Sequence, residues 1–152
     1  MPRIIRSGML SIMLLAASAS AMAQDVNAPL VTKSGALPAP EPGKAQIIFF
    51  RPGSIMGAAL GCAVHEGEAE VARLGSGKYY VISAEPGKPE FFTEGEVTDK
   101  LALEVEADES YFVKCKIGMG VVTGRANISP ADRAAFAEKA KGLTMWQPKD
   151  KK

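Results

Sequence analysis

The sequence predicts an all-β domain, a small antiparallel β-sandwich closed by one C-terminal α-helix. Apolar residues past residue 44 recur with period two. Leu101, Leu103 and Val105 alternate with Lys100, Ala102, Glu104 and Glu106, and Tyr111, Val113, Cys115 and Ile117 alternate with Lys114 and Lys116. That is the pattern of antiparallel strands covered on one side. Turn residues punctuate the runs at Glu66-Gly67-Glu68, Gly75-Ser76-Gly77 and Glu85-Pro86-Gly87, each tolerant of the angles a tight turn needs. Short strands with turns roughly every eight to twelve residues give about seven strands in an immunoglobulin-like or prealbumin-like sandwich.

Taken in order, the chain opens with Arg3 and Arg6, an apolar stretch MLSIMLLAA, and the small residues SASAMA. This is the layout of a secretory signal peptide over residues 1–23, with Ala21-Met22-Ala23 before a cleavage point at Gln24. The apolar part falls short of the roughly 20 residues that a membrane span needs. Residues 24–44 carry Pro29, Pro38, Pro40 and Pro42, and prolines lack the amide donors of a sheet, so this segment is expected as an unpaired linker.

The folded domain is then expected over 45–143. QIIFFR, Gln46 to Arg51, is apolar on both faces and reads as a central or doubly covered strand. Further strands are expected at Leu60–Glu66, Glu68–Leu74, Lys78–Ser83, Glu90–Thr93, Leu101–Val105 and Tyr111–Ile117. The helix has Ser129 as its capping hydroxyl, Pro130 at its first position and Asp132 at its third. Gly142, after Lys139 and Lys141, stops it, and Phe136, Ala140 and Leu143 dock it on the sheet. Residues 144–152 read as a polar tail.

Charge and composition exclude more than they assign. Of 18 basic and 17 acidic residues, cleavage removes Arg3 and Arg6 and no acid, turning a net charge of +1 into about −1. A near-neutral surface gives no footprint for nucleic acid. Cys62 and His65, the chain's only histidine, invite a catalytic reading. Strand residues three apart, however, face opposite sides, and a nucleophile and its base need hydrogen-bond contact. One histidine and two separated cysteines also fall short of a metal set. RPGSIMGAALG is rich in glycine but lacks the Gly-Lys-Ser/Thr ending of a phosphate loop, and Gly118-Met119-Gly120 reads as a bulge or turn. Glu66, Glu68, Glu70, Glu104 and Glu106 fall on wet faces. No catalytic, cofactor-binding or metal-ligating residue is therefore assigned, and no cofactor is expected.

Two features remain. Cys62 shares a face with Leu60 and Val64, and Cys115 with Tyr111, Val113 and Ile117, so both point into one core. An exported chain meets an oxidising compartment, and a Cys62–Cys115 disulfide is expected there. The doublets Phe49-Phe50, Tyr79-Tyr80, Phe91-Phe92 and Tyr111-Phe112 place one ring inward and one outward. Either the helix and long loops cover the outer rings, or Phe50, Tyr80 and Phe92 are candidates for an exposed interaction surface.

The order Arg51-Pro52, a glycine-rich connection, a strand ending at Gly67, Leu74, Gly77-x-Tyr79, Pro86-Gly87 and Tyr111-Phe112-Val113 resembles the bacterial envelope family catalogued as domain of unknown function 2846. The resemblance spans about Lys44 to Arg125. That family carries no established activity, so the resemblance implies no catalytic residue, and its pattern does not include Cys62 or Cys115. The expected protein is an exported, non-enzymatic module in the periplasm or secreted, binding an envelope protein or glycan, with no transmembrane span after processing. The alternative is an inhibitor or immunity-type protein whose loop Gly53–Gly61 plugs the active site of a cell-wall enzyme.

Overall fold

The computed structural model describes residues 28–122 and 124–148; the expected signal peptide and the first residues after it lie outside them. Eleven strands and one helix follow in order: β1 Val31–Thr32, β2 Gly35–Ala36, β3 Ala45–Arg51, β4 Cys62–Glu66, β5 Ala69–Leu74, β6 Lys78–Ala84, β7 Glu90–Thr93, β8 Asp99–Ala102, β9 Ser110–Gly118, β10 Arg125–Ala131, α1 Arg133–Ala140 and β11 Thr144–Met145. A five-stranded sheet in the order β10-β9-β3-β6-β11 faces a four-stranded sheet in the order β5-β4-β7-β8. The fold is the all-β sandwich with one C-terminal helix. Its larger sheet is mixed rather than purely antiparallel, because β3 pairs with β9, and β11 with β6, in parallel.

The doubly apolar β3 explains the layering. It lies between β6 and β9, and all seven of its residues are buried. Ile47 and Phe49 face the second sheet, where Phe49 meets Phe91 edge-on at 5.0 Å. Ile48 and Phe50 face the other way, into a smaller core beneath α1. There Phe136 packs on Phe50 at 5.1 Å and Phe112 at 5.2 Å. The helix thus docks by Phe136 and Ala140, with Leu143 just past its end, all buried, and makes the molecule three layers deep.

The helix begins three residues later than its sequence signal. Ser129 and Pro130 belong to β10, and Asp132 is the cap, its carboxylate accepting from the Ala135 amide at 2.7 Å. Pro130 is tolerated because β10 is an edge strand, where a missing donor breaks no ladder. The other sheet finishes that edge: the Asp99 carboxylate accepts from the Ile128 amide at 2.8 Å, and Thr93 Oγ1 donates to the Ala126 carbonyl at 2.8 Å.

The expected linker is also corrected. From Ala28 onward it packs on the domain. β1 and β2 form a short hairpin, Leu30 and Leu37 cover the smaller core, and Thr32 Oγ1 lies 3.1 Å from the buried Tyr79 hydroxyl. The prolines flank the hairpin rather than interrupt it, which leaves its few ladder amides intact. The expected polar tail is likewise anchored at its start: β11 pairs with Lys78 and Tyr79, and Trp146 sets its ring edge-on to Tyr80 at 5.0 Å. The strand expected at Leu101–Val105 is split into β8 and a separate bridge between Val105 and Gly87. Among the described residues, no helix is long and apolar enough to cross a membrane.

Candidate functional site

Cys62 and Cys115 are bonded, with alpha carbons 6.6 Å apart. Both are buried, and the bond ties β4 of one sheet to β9 of the other. This disposes of the Cys62–His65 dyad. His65 lies on the opposite face of β4, its ring stacked on Phe92 at 5.2 Å. The Glu70 carboxylate pairs with Arg73, and that of Glu104 with Lys88 at 3.4 Å. The first pair lies within β5 and the second joins two connecting segments, both at the surface.

The three aromatic candidates do not form one surface. Phe50 is fully buried under Phe136, because α1 covers the face on which a two-layer sandwich would have left it exposed. Tyr80 is half-buried beneath Trp146, and Phe92 is half-buried beside His65 on the outer sheet. They sit on different faces of the molecule.

A different patch stands out, at the end where β3 and β9 terminate. The connection from Pro52 to Gly61 and the segment from Ile117 to Gly124 carry no charged residue. Their aliphatic side chains point outward: Ile55 is 98% exposed, Val121 90%, Val122 87% and Met119 77%. Between the two loops lies an apolar groove of about 380 Å³, lined by Gly57, Leu60, Ile117, Met119, Val122 and Gly124, among others. Leu60, expected to open β4 on the core face, sits instead in this loop and is 43% exposed.

Three devices hold the loops in place. Arg51, at the end of β3, is 2% exposed and donates to the carbonyls of Leu60, of Leu74 at 3.2 Å and of Gly57 at 2.6 Å. Burial pushes its pKa below the ordinary arginine value, yet a guanidinium remains charged, so all three bonds are charge-assisted. On the second loop, the Glu96 carboxylate accepts from the Val121 amide at 2.9 Å and from the Val122 amide, and also meets Arg125. Finally, the disulfide lies at the loop bases, since Cys62 follows Gly61 and Cys115 precedes Ile117 by two residues.

Glycine lets the loops touch. A side chain at Gly57 would put its Cβ 2.6 Å from Ile117 Cγ2, and one at Gly124 would collide with Leu60. From sequence the first loop stands only as the plug of an inhibitor and the second as a bulge or turn at Gly118-Met119-Gly120. The available signal was two glycine-rich segments rich in Ile, Met, Leu and Val, free of charge in a chain that is 23% charged.

No curated protein and no solved structure matches this chain. Residues 41–127, more than half the chain, match the family model described as protein of unknown function (DUF2846). That span opens just before β3, runs through both sheets and closes inside β10, and the chain belongs to this family.

Proposed function

We propose that this protein is a non-enzymatic binding module of the bacterial cell envelope, exported by its N-terminal segment, that engages another component through its apolar loop end. One observation carries the reading. Two uncharged loops, fixed by a buried arginine, a carboxylate and a disulfide, expose aliphatic side chains that no core requires. Exposed apolar patches of this kind mark interaction sites, and holding the loops rigid lowers the ordering cost of binding. The aliphatic lining favours a protein partner over a glycan, which asks for an array of hydrogen-bonding groups.

A catalytic reading finds little support among the described residues. The one histidine is stacked on Phe92 and both cysteines are bonded. The inhibitor reading is favoured by one feature, the almost completely exposed Ile55 at the tip of the first loop. Photo-crosslinking in envelope extract tests both. A crosslinker at Val122 is expected to give one discrete adduct, and one at Lys100 on the outer sheet none. Identification of the adduct as a cell-wall hydrolase selects the inhibitor. Equal labelling from both positions counts against the apolar end as the binding surface. Export is checked by the mass of the chain recovered from the periplasm, expected to begin at Gln24.

A further inference from the structure

We propose that the occupant of the apolar end is a second copy of this chain, in a two-fold, end-to-end dimer in which Ile55 of each copy enters the groove of the other. This rests on the reading of the apolar end as the binding surface and names its partner.

A two-fold interface brings the same patch of both copies together, so the patch must carry a projection and the cavity that receives it. This end carries both. Ile55 projects at 98% exposure, and the chain continues directly into Met56 and Gly57, which line the groove. The groove walls are aliphatic and glycine-rich, the surface that a branched aliphatic side chain packs against most closely.

Charge points the same way. A two-fold interface sets charges on the patch near their own symmetry mates, and like charges placed together are costly. Residues 52–61 and 117–124 contain no charge. The charged groups beside the patch are already engaged: Arg51 with three carbonyls, Arg73, which lies against Gly61, with Glu70, and Glu96 with two amides and Arg125. A patch without charge offers nothing to steer a charged foreign partner, and nothing to repel a copy of itself.

The rest of the molecule leaves this end free. The N-terminal segment enters at Ala28, beside Gln46 and Ser110, where β3 and β9 begin. The seven residues of β3 set the two ends roughly 20 Å apart. Two copies joined through their loops therefore keep Ala28 of each at the far ends of the pair. Side-by-side pairing through β10 is disfavoured, because Asp99 and Thr93 already occupy the outward Ile128 amide and Ala126 carbonyl and Pro130 has no amide to offer.

Sedimentation equilibrium on the chain as recovered from the cells that make it tests the proposal, with wild type, Ile55→Asp, Val121→Asp and Ser83→Asp compared. Wild type is expected to sediment at twice the chain mass. Ile55→Asp is expected to weaken the dimer about 30-fold or more, the loss that accompanies a central anchor. Val121→Asp is expected to act in the same direction, and Ser83→Asp, at the one exposed position of β6 and away from the loops, to change nothing. Ile55 and Val121 are too exposed for either change to disturb the core, and an unchanged thermal midpoint verifies this. A monomer at every concentration overturns the dimer, as does a dimer indifferent to Ile55→Asp and Val121→Asp. Flotation of the monomer with phosphatidylethanolamine–phosphatidylglycerol vesicles, lost in Ile55→Asp, overturns it in favour of lipid. A monomer that still gives a discrete foreign adduct from Val122 removes the second copy and leaves the surface assignment standing.

Discussion

Gly57 and Gly67 both adopt left-handed backbone, at φ +65° and +57°, but for different reasons. Gly67 turns the β4–β5 hairpin, and a Cβ there meets nothing within 4 Å. Gly57 also lets its loop lie against Ile117. Gly67→Ala is therefore expected to cost about 1 kcal/mol, the backbone penalty alone. Gly57→Ala is expected to cost at least about 2 kcal/mol, with backbone strain and the contact acting together. Urea denaturation of the two variants isolates the contact as their difference, and equal costs would mean that the loops do not touch. Arg51→Met tests the anchor behind them. Methionine fills similar space but leaves the Gly57, Leu60 and Leu74 carbonyls without this donor, a loss of about 3 kcal/mol by the usual penalty for buried polar groups. Removing an arginine that has no acidic partner among the described residues offsets part of that. A net cost of about 2 kcal/mol is expected in the same titration, and no cost at all would discount the pin.

The helix supplies the clearest test at the level of elements. With Asp132 as its cap, Asp132→Ala is expected to cost about 1 kcal/mol. Ser129→Ala, on the exposed face of β10, is expected to leave the denaturation midpoint unmoved; the reverse ranking would restore the earlier helix start. The misplacement has a physical cause. Ser129-Pro130 suits a helix entrance and an edge strand equally, and β10 turns only Ala126 and Ile128 inward, too few to announce a strand by period. β3, β6, β7 and β9 were legible because their apolar faces persist over four residues or more. The β1–β2 hairpin was not, since two-residue strands have no period and their order comes from Leu30, Leu37 and Thr32 meeting a core built by distant residues. The candidate site was legible in half: an uncharged loop can be read from sequence, whereas the exposure of its aliphatic residues depends on which other loop lies beside it. Phe50 failed as a surface residue for a related reason, because the face beneath a helix cannot be known before the helix is placed.

For the whole molecule, the disulfide is the main long-range constraint. It closes a separation of 53 residues, for which the chain-entropy model gives roughly 4 kcal/mol. Replacing both cysteines by alanine is expected to lower stability by about that amount while leaving the far-ultraviolet dichroism of a β-sandwich, since the core between the sheets packs around the bond with many other apolar residues and the smaller core under α1 lies apart from it. A double variant as stable as wild type would show that the bond contributes nothing, and loss of the β spectrum that the cores are insufficient without it. β3 carries a further consequence. It is buried on both faces, yet its neighbours β6 and β9 are synthesised about 30 and 65 residues later. Until they arrive, Ile47-Ile48-Phe49-Phe50 is an uncovered segment of high β propensity and no charge, the type of sequence that seeds aggregation. Under the export proposed above, the chain would cross a membrane in extended form, where this hazard is most acute, and one short stretch would need shielding until β9 has emerged to cover it.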